Sequence, residues 1–320
     1  MTTPNSPRPI PWGALGPWLV LLAACIFFAT QSDRFLTGAN LSLVLQQVMV
    51  VGVLAIGQTL IILTAGIDLS CGMVMALGSV VMSKFAVDLG MPPALAVLCG
   101  LAVTCGFGLI NGLLVTKVKL PSFIVTLGTM NIAFAITQIY SQSQTTTDLP
   151  PLLTVLGNTF NFGSTEVSAG TVLMVALYVL AWYVLRDTAP GRHLYAVGNN
   201  TEAARLTGIP VRKVLLGVYV VAGFFYGLAA LLSVARTGVG DPQAGQTENL
   251  DTITAVVLGG TSLFGGRGII LGSLVGAVIV GVFRNGLTLM GVASVVQTLI
   301  TGILVILAVA GDQISHKGAR

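Results

Sequence analysis

Long uncharged stretches alternate with short polar breaks along almost the whole chain. Because a helix needs ~20 apolar residues to cross the hydrocarbon core of a bilayer, the apolar stretches predict ten candidate membrane spans, at residues 13–30, 43–63, 71–87, 93–115, 120–140, 169–185, 215–235, 251–264, 269–289 and 293–310. The third, sixth and eighth of these are short. The pattern therefore predicts an all-α polytopic membrane protein with about ten transmembrane helices.

The composition agrees with this interpretation and limits what else the chain can contain. Of the 320 residues, 54% are hydrophobic and only 8% are charged, whereas about a quarter of the residues in a soluble domain are charged. The spans use most of the length, so a sizeable soluble domain is excluded. We predict one transmembrane domain over residues 13–311, between short tails at 1–12 and 312–320. The four cysteines have no paired spacing, so neither a zinc site nor a disulfide framework is indicated.

Basic residues predict the orientation, because Lys and Arg near span ends favour the cytoplasmic side. Counted from a cytoplasmic N-terminus, the outer segments hold Arg34, Lys84 and Arg236. The inner segments hold many more: Arg8, Lys117, Lys119, Arg186, Arg192, Arg205, Arg212, Lys213, Arg267, Lys317 and Arg320. This bias places both termini in the cytoplasm, makes 186–214 the main cytoplasmic segment, and makes 141–168 the main external loop.

The chain also contains a candidate internal repeat. The sequence "NGL" followed by "SFIVTLGT" at 111–129 resembles "NGL" followed by "SVVQTLIT" at 285–301. Small residues recur at every fourth position before each Asn-Gly pair, at Gly100, Thr104, Gly108 and Gly112 in one copy and at Gly268, Gly272 and Gly276 in the other. Such ladders let helices approach closely in lipid. Five spans separate the copies, so the repeat would be inverted, as in many transporter folds; chance similarity between two apolar segments is the alternative.

Each copy carries polar side chains on one face of an apolar helix. The first stripe consists of Ser122, Thr126 and Thr129, and the second of Ser294, Gln297, Thr298 and Thr301. These side chains either hydrogen-bond across helix contacts or line a path for a polar, uncharged solute. A charged solute would call for ionisable residues, which these two helices almost entirely lack.

Ionisable residues within membrane spans are candidate functional groups. Asp68 lies between Gly66 and Gly72 in "GIDLSCG", at the junction of the second and third spans, and Asp251 stands just before "TITAVVLGG", at the start of the eighth. We predict that each aspartate caps the N-terminus of the span that follows it. Arg284 lies near the outer end of the ninth span and is expected to extend outward to the interface.

A glycine-rich segment, "GGTSLFGGRG" at 259–268, resembles a phosphate-binding loop. That loop requires a Lys followed by Ser or Thr after its last glycine, whereas Gly266, Arg267 and Gly268 follow Gly265 here. ATP binding by this segment is therefore excluded. We predict instead a tight cytoplasmic turn between the eighth and ninth spans, built on Gly259, Gly260, Gly265 and Gly266.

One short polar helix interrupts the apolar chain, in "GNNTEAARLTGIP" at 198–210. Asn199 or Asn200 is a suitable N-cap, Glu202 favours the first turn, and Gly208 with Pro210 ends the helix. A solvated connector would have the same composition. The segment 186–214 is longer than a minimal turn and more ordered than a flexible linker, which favours a docking surface.

Three motifs, taken in their order along the chain, resemble the permease subunit of bacterial ABC importers of the ribose type. They are "GIDLSCG" at 66–72, "AVGNNTEAARLTGIPVRKV" at 196–214 and "LDTITAVVLGGTSLFGGRG" at 250–268. The likeness covers roughly residues 40–312. It implies an inner-membrane, multi-pass permease for a monosaccharide or related small polar solute, with a fold like that of the vitamin B12-type importers. It also implies a homodimer or heterodimer of permeases, two cytoplasmic ATPase subunits and a periplasmic sugar-binding protein. ATP and Mg would belong to the ATPases, so this chain would be neither an enzyme nor the holder of a cofactor, and no nucleic-acid partner is expected.

The resemblance assigns roles to particular residues. It makes the polar helix a coupling helix that sits in a groove of the ATPase, with Asn200, Glu202, Ala203, Ala204, Arg205 and Gly208. In related importers the fifth and tenth helices border the translocation path, which agrees with the two polar stripes. ATP binding would then move the docked helices and switch the permease between outward-facing and inward-facing states.

Two alternatives stay open on the sequence. A secondary carrier driven by a proton or sodium gradient would use Asp68 as its coupling carboxylate, and would transport without an ATPase. A permease for branched-chain amino acids belongs to the same broad group as the ribose type, although the motifs are closer to the sugar type. The sequence does not identify the sugar.

Overall fold

The computed structural model describes residues 12–318, most of which are helical. Within this range the α-helices are α1 (Trp12–Gln31), α2 (Gly38–Leu63), α3 (Cys71–Val87), α4 (Pro93–Leu113), α5 (Ser122–Ser141), α6 (Pro151–Thr154), α7 (Ala169–Asp187), α8 (Ala189–Asn199), α9 (Thr201–Leu206), α10 (Val211–Thr237), α11 (Glu248–Leu258), α12 (Ile270–Leu289) and α13 (Ser294–Gly318). A π-helical turn at Leu114–Val118 extends α4. The predicted tail at 1–12 lies outside the described residues apart from Trp12, and α13 continues through most of the predicted tail at 312–320.

Six helices of the described range are long and apolar enough to cross a membrane: α2, α4 with its π-helical extension, α5, α7, α10 and α12. Shorter apolar helices lie at Gly16–Gln31, Cys71–Val87 and Ser294–Leu307. Most of these helices begin and end within a few residues of a predicted span, and α3 matches its span at both ends. The chain is therefore a multi-pass membrane protein built from helices.

The eighth predicted span, 251–264, is the exception. The structure has there the 11-residue helix α11, which ends at Leu258, and at about 1.5 Å per residue such a helix covers roughly half of a ~30 Å hydrocarbon core. Glycines account for the early end, because Gly260, Gly265, Gly266 and Gly268 all have positive φ angles that a helix does not allow. The hydrophobic residues between them suggested a longer span than the backbone forms.

The glycines predicted to form ladders lie at close helix contacts, except Gly268, which lies in the turn before α12. A Cβ on Gly276 would overlap the carbonyl oxygen of Ala255, so α12 and α11 touch through their backbones. A Cβ on Gly108 would overlap the carbonyl oxygen of Tyr219, which brings α4 equally close to α10. Both ladders therefore act as small residues do in membrane helix packing, by removing the side chain that would separate two backbones.

The helix contacts occur in matched pairs. Helix α4 packs on α10 as α12 packs on α2, and α3 packs on α4 as α11 packs on α12. Helix α3 contacts α5 and α10, and α11 correspondingly contacts α13 and α2. Helices α2 and α10 pack on each other at the centre of these two sets.

The bundle has two ends, which we name by the elements they carry. At the hairpin end lies an antiparallel hairpin of β1 (Thr159–Phe162) and β2 (Thr165–Ser168), so the predicted external loop 141–168 contains both the hairpin and the short helix α6. Thr146 and Gly240 join this end to the segment after α10 through two backbone hydrogen bonds of 2.9 Å. At the α9 end lie α8, α9 and the glycine-rich turn 259–268.

Candidate functional site

Helix α9 has the caps that the sequence predicts. Asn200 is the N-cap, and its Oδ1 accepts a 2.9 Å hydrogen bond from the amide of Ala203. Gly208 follows the helix with a φ of 86°. Glu202 and Arg205 form an exposed ion pair of 3.0 Å, whereas Ala204 is buried against the bundle. The helix thus presents a polar face to the surroundings and fixes its opposite face on the protein.

Leu206, at the end of α9, was not among the predicted site residues. Its side chain is 79% exposed, and it lies next to the exposed Arg205. A single exposed leucine is common on protein surfaces, but this one lies on the helix that is predicted to dock, which makes it a candidate contact. The sequence carried the signal, since leucine is the one large apolar residue of "TEAARL", but helix propensity alone explained its presence.

The glycine-rich turn contacts both α8 and the end of α2, which the sequence did not predict. The amide of Gly266 donates a 2.9 Å hydrogen bond to the carbonyl of Leu63 at the end of α2. Gly198, near the end of α8, packs against the same carbonyl so closely that a Cβ there would overlap it. The hydroxyl of Tyr195 donates a 2.9 Å hydrogen bond to the carbonyl of Gly268. The predicted turn therefore joins α8, and through it α9, to the end of α2.

Asp68 is a buried junction residue, and the prediction that it is the N-cap of the third helix is wrong. Ser70 is the N-cap of α3. The carboxylate of Asp68 is 1% exposed and accepts hydrogen bonds from the Ser70 amide at 2.7 Å, the Ser70 hydroxyl at 2.6 Å and the Tyr226 hydroxyl at 3.1 Å. A buried tyrosine of α10 holds the carboxylate in place, and the amide of Gly72 in the first turn of α3 donates instead to Asn249 Oδ1.

The stripe on α5 faces this junction. The amides of Ile67 and Leu69 donate to the hydroxyls of Ser122 and Thr126, each at 3.1 Å. The Thr129 hydroxyl donates at 2.8 Å to Asn111 Oδ1, whose amide nitrogen in turn donates to Ser70 at 3.1 Å. The chain between α2 and α3 is not helical, so its backbone amides lack helical hydrogen bonds. The stripe provides hydrogen-bond acceptors for them, and buried backbone groups in a membrane protein need such partners.

The stripe on α13 has different surroundings. Ser294, Gln297, Thr298 and Thr301 line a cavity of about 210 Å³ at the hairpin end. Across the cavity lie Thr247, Asp251 and Arg284. This stripe faces open space and charged groups, whereas the α5 stripe faces the backbone of its own subunit.

The predictions for Asp251 and Arg284 are both wrong. Thr247 is the N-cap of α11, and Asp251 lies within its first turn with 2% of its surface exposed. Arg284 does not extend outward: its Nη1 lies 2.8 Å from Asp251 Oδ2, as an ion pair rather than an aligned hydrogen bond, and its Nη2 donates to the Thr247 hydroxyl at 2.8 Å. Asp251 and Arg284 are far apart in sequence and neutralise each other as an ion pair. Neither sequence segment, taken alone, indicates this pairing.

Comparison with known proteins places the chain among importer permeases. A family model described as the permease component of the branched-chain amino acid transport system matches residues 40–309. The chain is 46% identical over 309 residues to the fructose import permease protein FrcC of Rhizobium meliloti, which covers 95% of this chain and 86% of that protein. It is 39% identical over 305 residues to the ribose import permease protein RbsC of Bacillus subtilis, covering 93% and 92% of the two chains. The corresponding ribose permease of Escherichia coli is 38% identical over 296 residues, with 92% of each chain covered.

Proposed function

The chain belongs to the family of importer permease components, and from that premise we propose that it forms the membrane pathway of an ATP-binding cassette importer for a monosaccharide. The relatives that support the sugar class are permeases named for fructose and ribose, each aligned over most of its length. The family is not enzymatic, so ATP and Mg bind to separate ATPase subunits, and this chain holds no cofactor. A periplasmic binding protein delivers the solute and carries most of the specificity.

The observation that carries the proposal is the position of α9. Asn200, Glu202, Ala203, Ala204, Arg205 and Gly208 form a capped helix that is exposed on one side and anchored on the other. Its anchor is α8, which Gly198 and Tyr195 join to the glycine-rich turn and to the end of α2. When ATP binding moves the ATPase, a helix anchored in this way passes the displacement directly to the membrane helices.

We further propose that ten membrane segments form an inverted repeat like that of the vitamin B12-type importers. Matched helix contacts relate α2–α5 to α10–α13, and α11 is a half-length segment within this repeat. The domain covers residues 13–311, and two such permeases assemble as a homodimer or heterodimer. The α9 end is cytoplasmic, as are both termini, because segments at that end hold Lys117, Lys119, Arg186, Arg192, Arg205, Arg212, Lys213 and Arg267. The protein lies in the bacterial inner membrane.

The two polar stripes have different roles in this proposal. Thr126 and Thr129 of α5 are buried against the junction at Asp68, so they position the helix that borders the path. Ser294 and Thr298 of α13 are exposed to a cavity and contact the solute directly.

A carrier that couples through Asp68 is the weaker candidate. Both carboxylate oxygens of Asp68 already accept hydrogen bonds within the subunit, and the residue is buried. A coupling carboxylate must exchange a proton or a sodium ion with water during each cycle. The surroundings of Asp68 favour a fixed structural role.

Reconstitution tests the function directly. Proteoliposomes that contain the permease, its ATPases and its binding protein should accumulate D-fructose or D-ribose only when ATP is supplied. The permease alone should accumulate neither sugar. Accumulation by the permease alone, driven by a proton or sodium gradient, would contradict the proposal.

A charge swap tests the docking of α9. The double variant Glu202→Arg with Arg205→Glu keeps an ion pair within the helix, so a loss of ATPase co-purification reports the contact with the partner. Swapping the Lys84–Asp88 pair, in which Lys84 is partly buried and Asp88 is exposed and whose charged atoms lie 2.7 Å apart at the end of α3, is the control. If both swapped proteins retain the ATPase and transport at the wild-type rate, the charged face of α9 does not form the contact with the ATPase.

A further inference from the structure

Polar residues of five helices meet at the hairpin end around two adjoining cavities. One cavity, of about 210 Å³, is lined by the α13 stripe together with Asp251 and Arg284. The other, of about 180 Å³, is lined by residues of α2, α10, α11, α12 and α13, among them Gln47, Arg236 and Glu248. Arg284 and Gln297 line both cavities. The two spaces are therefore one polar region divided by two side chains.

The charges of this region balance. Arg236 and Arg284 contribute two positive charges, and Glu248 and Asp251 contribute two negative ones. Such a set gives no net attraction for an anion or a cation. Charged groups within a membrane bundle are costly, and where they occur they usually pair with one another and mark a functional site.

Several hydrogen-bonding groups of the region have no partner or face the open space. The side-chain oxygen of Gln47 is buried without a hydrogen-bond partner. Ser294 and Thr298 are exposed on the cavity side of α13. The amide nitrogen of Gln297 donates to the Thr288 hydroxyl at 3.1 Å and to the Val292 carbonyl at 2.9 Å, which fixes Gln297 between the two cavities. Donors and acceptors from several helices thus line a space around which the formal charges cancel.

This chemistry suits a small neutral polyol. Each hydroxyl group of a sugar both donates and accepts, and charged side chains make the stronger hydrogen bonds with neutral partners. The volumes of the two cavities are below the ~300 Å³ at which pockets for larger organic ligands begin, so a single sugar ring fits better than a larger solute. A path of this kind needs weak contacts, because tight binding would prevent release.

We propose that Asp251, Arg284 and Gln297, together with Thr298, form a transient contact site for the hydroxyl groups of the transported sugar. The site lies at the hairpin end, where the solute enters, and Arg284 and Gln297 line both of its cavities. This inference rests on the proposed function, because it assigns solute contacts to a path that only an importer needs.

A swap of the ion pair separates solute contact from a purely structural role. We compare Asp251→Asn, Arg284→Gln and the double variant Asp251→Arg with Arg284→Asp in the full complex, with D-fructose and D-ribose as probes. Each single variant should lower the uptake rate about tenfold or more, the equivalent of one lost hydrogen bond of about 1.4 kcal/mol. The swapped pair should assemble with the ATPases yet transport as slowly as the single variants, because the donors and acceptors that face the sugar are exchanged. Wild-type uptake by the swapped variant would show that the pair only joins α11 to α12 and would overturn the site.

A cysteine at position 298 provides a second test that leaves the ion pair intact. The background for this test carries Ala in place of Cys25, Cys99 and Cys105 and retains Cys71, which is fully buried. In this background, Thr298→Cys should react with a membrane-impermeant methanethiosulfonate. Modification should block uptake, and D-fructose or D-ribose should slow the reaction. Leu299→Cys, at a neighbouring position with 63% exposure that does not line either cavity, is the control and should transport normally after the same treatment. Full uptake after complete modification at 298 would overturn the site, whereas sugar uptake by the unmodified complex that does not require ATP would contradict the proposed function instead.

Discussion

The amide of Gly266 donates a 2.9 Å hydrogen bond to the carbonyl of Leu63, across more than half of the length of the chain. Gly198 packs against the same carbonyl, and Gly265 lies against Ala65 just beyond it. Three segments that are far apart in sequence therefore meet at one carbonyl oxygen, through backbone atoms alone. This contact is the direct connection between the segment that carries α9 and the helix α2 at the centre of the bundle.

Substituting Gly266 should disconnect α9 from the bundle. Gly266→Ala places a Cβ against the backbone of Asn199, at a residue whose φ is 70°, and the turn must shift away from α8. We expect ATP-driven uptake in proteoliposomes to fall about tenfold, which corresponds to about 1.4 kcal/mol. ATPase subunits should still co-purify, because the exposed face of α9 is unchanged.

Gly90 provides the matched control for that substitution. Its φ is 59°, so Gly90→Ala introduces a similar backbone strain, but no atom of another segment lies near the added Cβ. Transport by Gly90→Ala should stay close to the wild-type rate. Equal losses in the two variants would show that backbone strain, not the contact with Leu63, controls the effect.

Gly276 tests the close approach of α11 and α12. Gly276→Ala brings a methyl group into the carbonyl of Ala255, and overpacking of this kind costs about 1–3 kcal/mol. We expect a lower midpoint when the detergent-solubilised protein is heated and the surviving fraction is measured by size-exclusion chromatography. Gly106→Ala in α4 meets no neighbouring atom and should leave the midpoint unchanged or slightly higher.

Periodicity and composition were sufficient to predict the helical class and the positions of most helices. The apolar runs located the helices because a membrane helix must be apolar over its whole length, and the small-residue ladders located close contacts because bulk is what separates backbones. The same reasoning failed at α11. There the run of apolar residues continues past Leu258 into "TSLF", while the positive φ of Gly260 has already ended the helix.

The partners of the buried polar groups could not be predicted in the same way. Asp68 stands before a helix, as an N-cap does, but the local rule has no information about Tyr226, which lies 158 positions away. Arg284 near a span end follows the rule for outward extension, but Asp251 provides a closer partner inside the bundle. Asn40 and Asn285, which exchange hydrogen bonds of 2.8 and 2.9 Å, were likewise overlooked although each is an amide in an apolar helix.

Asp68 should contribute to stability rather than to ion coupling. Asp68→Ala removes the acceptor for three donors, whereas Tyr226→Phe removes a single donor and leaves the contacts with Ser70. At about 1 kcal/mol per hydrogen bond, the aspartate variant should have the lower thermal midpoint. Sugar uptake by either variant, where the complex assembles, should depend on ATP and not on a pH gradient. Uptake that follows a proton gradient in the wild type and is abolished in Asp68→Asn would contradict this assignment.

Leu206 should contribute more to the docking of the ATPase than either charged residue of α9. Its side chain, on the last residue of the helix, is 79% exposed, and burying an exposed leucine in a partner groove is worth about 1.5–3 kcal/mol. Leu206→Ser should therefore weaken ATPase association at least tenfold, measured by titrating purified ATPase onto the permease in detergent, because exposed ion pairs such as Glu202–Arg205 contribute about 1 kcal/mol or less. Leu89, which is 61% exposed, lies just beyond the C-terminal end of α3. Leu89→Ser is the control and should bind the ATPase as the wild type does. Unchanged association in Leu206→Ser would mean that the polar face of α9, rather than its exposed leucine, forms the contact.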